Sequence, residues 1–195
     1  MTIRLEVLTG EALEERLDDL ARLRCEVFRE WPYLYAGEEA YERAYLEHYR
    51  GEGQAVMVAA FVGDAMVGAS TGAPLASHAP EFARPFEERG IAAETVFYFG
   101  ESVLLPQYRG QGTGARFFEL REEHARAQGF RIAAFCSVLR EDTHPLRPPA
   151  WSGHDAFWRR MGYLPMQGAV ARFSWTDIGN AVPTEKPLQF WSKLL

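Results

Sequence analysis

Apolar residues recur along this chain in two rhythms. Residues 3–8, IRLEVL, alternate apolar and polar, which predicts a short half-buried strand. The spacing then changes. Leu13, Leu17, Leu20, Leu23 and Val27 fall three or four apart and predict one helix, starting at Thr9 or Gly10, with a single apolar stripe. Trp31-Pro32 closes it, because the residue before a proline avoids helical dihedrals. Residues 38–49 predict a second helix. The apolar runs 55–61 and 66–73 flank Gly63-Asp64 as a hairpin. Residues 74–93 are a long connection with a short helix around 80–89, and connections this long are often functional. Further on come a strand over 95–105, a helix over 115–128 stopped by Gly129, and a strand over 130–139. A proline-rich stretch, a short helix over 155–161, and strands over 169–175 and 188–193 complete the order, with 176–187 read as a loop or tail.

That order predicts a mixed α/β fold: one mostly antiparallel central sheet of about six to seven strands, flanked by helices, in one domain over 1–195. A chain of 195 residues, 47% hydrophobic, needs no disulfide or metal to hold its core. A formal charge of −6 argues against tracking a phosphate backbone, so no nucleic-acid partner is expected. Cys25 and Cys136 are too few and too far apart for a metal cluster. No run approaches the ~20 apolar residues that span a bilayer. Acids stand where a secretory signal has its apolar core, so a cytoplasmic protein without membrane contact is expected.

One stretch carries chemistry. The strand over 95–105 leads through Pro106-Gln107-Tyr108-Arg109-Gly110-Gln111-Gly112-Thr113-Gly114 straight into a helix. A helix start offers unpaired N–H groups and the positive end of the macrodipole. Glycines let a diphosphate approach the backbone, and Arg109 adds a cation at the mouth. The spacing fits neither G-x-x-x-x-G-K-[ST] nor G-x-G-x-x-G.

This run resembles the acetyl-CoA signature of the GNAT N-acetyltransferases, R/Q-x-x-G-x-G/A, and Phe157-Trp158-Arg159-Arg160-Met161-Gly162-Tyr163 is similar to that family's later aromatic helix end. The resemblance implies acetyl transfer from acetyl-CoA, without a metal, to a primary amine that attacks the thioester directly. It places the CoA pyrophosphate on Gly110, Gln111, Gly112, Thr113 and Gly114 beside Arg109. It lays the pantetheine arm along Val103, Leu104 and Leu105, where this strand and the next splay apart. It also puts the aromatic cluster of Trp31, Tyr33 and Tyr35 against the acceptor.

Two residues are candidate catalysts. Glu101 is the only acid inside the cofactor strand; burial would raise its pKa and suit it to act as a base. Strict alternation sets it on the face opposite Tyr98, where many family members carry their acid, unless a bulge at Gly100 turns it. Tyr98 is a candidate to hold substrate or relay a proton. Trp158 stands where the family often has a tyrosine acid, and indole cannot supply that proton; Cys136 and Ser137 are the other groups nearby. Two rival functions remain: transfer from a longer acyl-CoA, and a CoA-binding module without turnover. A homodimer is compatible with either.

Overall fold

The computed structural model describes residues 2–195. It contains β1 (Arg4–Leu8), α1 (Gly10–Glu14), α2 (Leu17–Val27), α3 (Glu39–Leu46), β2 (Val56–Val62), β3 (Ala65–Pro74), α4 (Pro80–Glu87), β4 (Val96–Leu104), α5 (Thr113–Ala127), β5 (Ile132–Val138), α6 (Asp155–Arg160), β6 (Leu164–Trp175) and β7 (Thr184–Leu194). The sheet has seven strands in the order β1-β2-β3-β4-β5-β7-β6. Every pairing is antiparallel except β4–β5. The expected mixed, mostly antiparallel sheet is therefore present.

Three elements differ from expectation. The first predicted helix is two, broken at Glu15-Arg16, so that Leu13 packs over β2 while Leu20 and Leu23 continue toward β3 and β4. β6 begins five residues early, at Leu164. β7 begins at Thr184, inside the stretch expected to be loop or tail. Its first turn of chain is polar, TEKP, and gives no apolar signal. It is a strand because β6 pairs with it from Thr184 to Gln189. Lys186 is buried there, with Nζ donating to Trp175 O, Thr184 O and Thr184 Oγ1 and paired with Asp177.

Helices cover both faces. On one, α5 and α6 pack Phe118 and Phe157 against Phe97, Phe99 and Phe135. On the other lie α2, α3 and α4, with Leu20 and Leu23 over Val103, and Phe86 against Phe190. β4 and β5 are parallel neighbours over only three register pairs, ending at Tyr98 and Ala134. Beyond that point they part, and the gap opens in the middle of the sheet. Among the described residues no helix is long and apolar enough to cross a membrane.

Candidate functional site

The parting of β4 from β5 begins beside a bulge. Along β3–β4, Gly72 pairs with Phe99 and Ser70 with Ser102, so Thr71 alone faces both Gly100 and Glu101. The extra residue turns Glu101 onto the Tyr98 face rather than the opposite one. Gly100 is required here: a Cβ would lie 2.4 Å from Tyr49 Oη and 2.8 Å from Thr71 Oγ1. A bulge also strips carbonyls of their ladder partners. Arg121, buried on α5 behind the sheet, donates Nη1 to Thr71 O (3.0 Å) and Glu101 O (3.2 Å), and Nη2 to Ser102 Oγ (2.9 Å).

Glu101 is buried, with one partner on each carboxylate oxygen. Arg24 of α2 pairs with its Oε2. Thr71 Oγ1 donates to its Oε1 at 2.5 Å. Having one proton, that hydroxyl must accept from Tyr49 Oη, 2.7 Å away. Arg24 also pairs with buried Glu42 of α3, which receives the Tyr35 hydroxyl. The chain of charges is thus Glu101–Arg24–Glu42, with a net charge of −1.

Tyr98 closes the crotch of the gap, sharing a hydrogen bond with Cys136 of β5. Burial, with Cys136 beside it, pushes the phenol well above 10, and burial also raises the Cys136 thiol. Both stay protonated at neutral pH. Ser137 is occupied, accepting from Trp191 Nε1 at 3.0 Å. Trp158 packs on Phe135 and Trp191, with ring centroids 5.1 and 5.0 Å away.

His78 lies edge-on to Tyr98, with centroids 4.8 Å apart and its Nε2 buried without a partner. Burial, with His48 nearby, drops its pKa to about 3. The unfolded chain, with a histidine near 6.5, binds a proton between those values that the folded protein refuses. The His78 contribution is therefore full above pH 6.5 and is lost as pH falls toward 3. Acidification from pH 7 to 5 is expected to cost about 1–2 kcal/mol through His78. Melting curves at both pH values should show a smaller drop for His78→Phe; an equal drop would remove His78 from the acid response.

On the far side of β4 the glycine run behaves as a helix start. Gly110 and Gly112 hold φ of +77° and +85°, and Gly112 caps α5. The first N–H groups of α5 have no preceding turn to bond. Thr113 is buried at its first position, and Gly114 follows with only Phe157 near its Cβ direction, at 3.7 Å. Val103 is buried in the core; Leu104 and Leu105 lead toward the loop. Arg109 is not a free cation: Nη1 donates to Glu30 (2.7 Å) and Nε to Leu104 O (2.9 Å). Gln111 is exposed between the glycines.

Tyr33 and Tyr35 line a cavity of about 450 Å³ on the α2–α3 side of the sheet, whose inner end is Tyr98, Gly100 and Cys136. Arg140 fixes this wall. It forks onto both Asp177 oxygens (2.8 and 2.9 Å) and donates to Pro32 O and Tyr33 O. Neither Arg140 nor Arg24 stood out in the sequence. Arg24 had a signal: four residues after Leu20, it is a charge on the buried side of α2. Among the described residues no group of three His, Cys, Asp or Glu could hold a metal ion.

No family model matches this sequence, and no curated protein matches it. Solved structures do. The ribosomal-protein-alanine N-acetyltransferase of Brucella melitensis superposes with a TM-score of 0.61 at 15% identity, over 97% of this chain and 99% of its own. The PaiA N-acetyltransferase of Thermoplasma acidophilum, in complex with coenzyme A, gives 0.56 at 14% identity over the whole of both chains. An aminoglycoside 6'-N-acetyltransferase complexed with coenzyme A gives 0.55 at 16%, over 100% of this chain and 97% of that one. The chain has the fold of the GNAT N-acetyltransferases.

Proposed function

We propose that this protein transfers an acetyl group from acetyl-CoA to a primary amine. The observation that carries the reading is the gap between β4 and β5. The glycine-led start of α5 lies on one side of it and the aromatic cavity on the other. The N–H groups from Gly110 to Gly114 would hold the pyrophosphate, and the pantetheine arm would follow Val103 to Leu105. Its thioester would reach Tyr98 and Cys136, where the amine enters from the cavity.

The amine attacks the thioester carbon, the C–S bond breaks, and the ammonium proton leaves. Glu101, on the cavity face of β4, is the residue we assign to that proton. Arg24 and Thr71 hold its carboxylate in place. Tyr98 keeps its own proton, because its phenol is a weaker acid than a departing thiol. It serves as a hydrogen-bond donor to the thiolate rather than as the acid.

Calorimetric titration with acetyl-CoA, followed by thiol release with amines present, tests this. Saturable binding and amine-dependent release are expected, with Glu101→Gln lowering kcat about 10²-fold and leaving acetyl-CoA affinity within twofold. A folded protein that ignores millimolar acetyl-CoA would end the reading. Binding without release selects a second one, a CoA-binding module, which Trp158 in place of a phenol favours.

A further inference from the structure

Resting on that reading, we propose that the acceptor is a small monoamine with an aromatic or apolar body and no carboxylate. The cavity points to this in three ways. Its volume, about 450 Å³, lies within the roughly 300–1,000 Å³ of pockets that enclose small molecules. Its walls are rings in succession. Phe28 stacks on Tyr33 at 4.3 Å, Tyr33 meets Trp175 at 6.0 Å, and Trp175, Phe173 and Phe82 follow at 6.4 Å steps. Aromatic faces attract both apolar bodies and a single cation.

Several polar groups of the wall are already partnered. Arg24 is divided between Glu101 and Glu42, and Glu42 also takes the Tyr35 hydroxyl. Trp175 Nε1 donates to Tyr33 O at 3.0 Å. Tyr98 shares a hydrogen bond with Cys136.

Charge completes the selection. Arg24 against Glu38 and Glu42 leaves the wall with a net −1, and buried Glu101 lies behind Arg24. Glu38 stands exposed at the rim and makes no capping bond to α3. An ammonium is drawn in and a carboxylate is repelled. One rim carboxylate does not match the repeated charges of a polyamine.

The experiment measures kcat/KM with acetyl-CoA for 2-phenylethylamine, phenylalanine, propylamine, spermidine and kanamycin, and calorimetric binding of 2-phenylethylamine in the presence of CoA. We expect 2-phenylethylamine to exceed each of the others at least about tenfold. Phe173→Ala should raise its KM about tenfold while acetyl-CoA affinity stays unchanged. Preference for spermidine, kanamycin or phenylalanine overturns the inference and leaves acetyl transfer standing. Binding of 2-phenylethylamine without thiol release supports the pocket assignment and overturns the transfer. Absence of 2-phenylethylamine binding overturns the assignment outright.

Discussion

Gly114→Leu is expected to fold with a melting temperature within a few degrees of the parent, and to bind acetyl-CoA at least about 10²-fold more weakly. The two effects separate because folding does not require this glycine. Gly114 sits in the first turn of α5, its φ is not positive, and a Cβ would meet only Phe157 at an ordinary 3.7 Å. Leucine is a better helix former than glycine by several tenths of a kcal/mol. A diphosphate approaching those N–H groups, by contrast, would meet the leucine side chain, and losing one or two charge-assisted hydrogen bonds costs about 1.5–3 kcal/mol each. Gly114→Ala should retain binding, as the G/A tolerance of the resembled signature implies. Calorimetry and thermal melting on the same samples decide the matter. Unchanged affinity in Gly114→Leu would make this turn purely structural.

Arg24→Met carries the largest expected loss of stability. The guanidinium pairs with two buried carboxylates, on β4 and α3, and its removal leaves both charges without a partner. Breaking a buried pair in this way costs about 3–5 kcal/mol. In a chain of this size that lowers the melting temperature by about 10 °C. The cost belongs to the orphaned carboxylates rather than to the missing arginine. Adding Glu42→Gln and Glu101→Gln to Arg24→Met should therefore recover most of it. A triple variant no more stable than Arg24→Met would show that Arg24 acts through its packing on Phe28 and Tyr45 instead.

What the sequence could and could not disclose follows from the range of the interactions. The hairpin, the cofactor strand and α5 are local, written in alternation, glycine placement and helical spacing, and their bounds agree within two residues. The start of β7 was hidden because its polar residues, of which only Lys186 is buried, are held by pairing with β6 rather than by their own composition. Glu101 drew attention as a lone acid in a strand, yet its orientation depended on a bulge that Arg121 supports from across the sheet. Its partner Arg24 lies 77 positions away, and Arg140 reaches 107 and 108 positions to Tyr33 and Pro32. No local rhythm reports such pairs. A charge beside the apolar stripe, at Arg24, was the one trace.

The cavity and the glycine turn have no lining residue in common, and the acceptor wall is fixed by Arg140 without help from the other half. For the proposed reaction this bears on the order of events. The two substrates would meet only at Tyr98 and Cys136, the inner end of the cavity, so either can arrive first. Cys136, the one thiol at the meeting point, stays protonated and is no nucleophile for an acyl-enzyme. Both substrates must then be bound together before any bond changes. Double-reciprocal plots for such a catalyst intersect rather than run parallel.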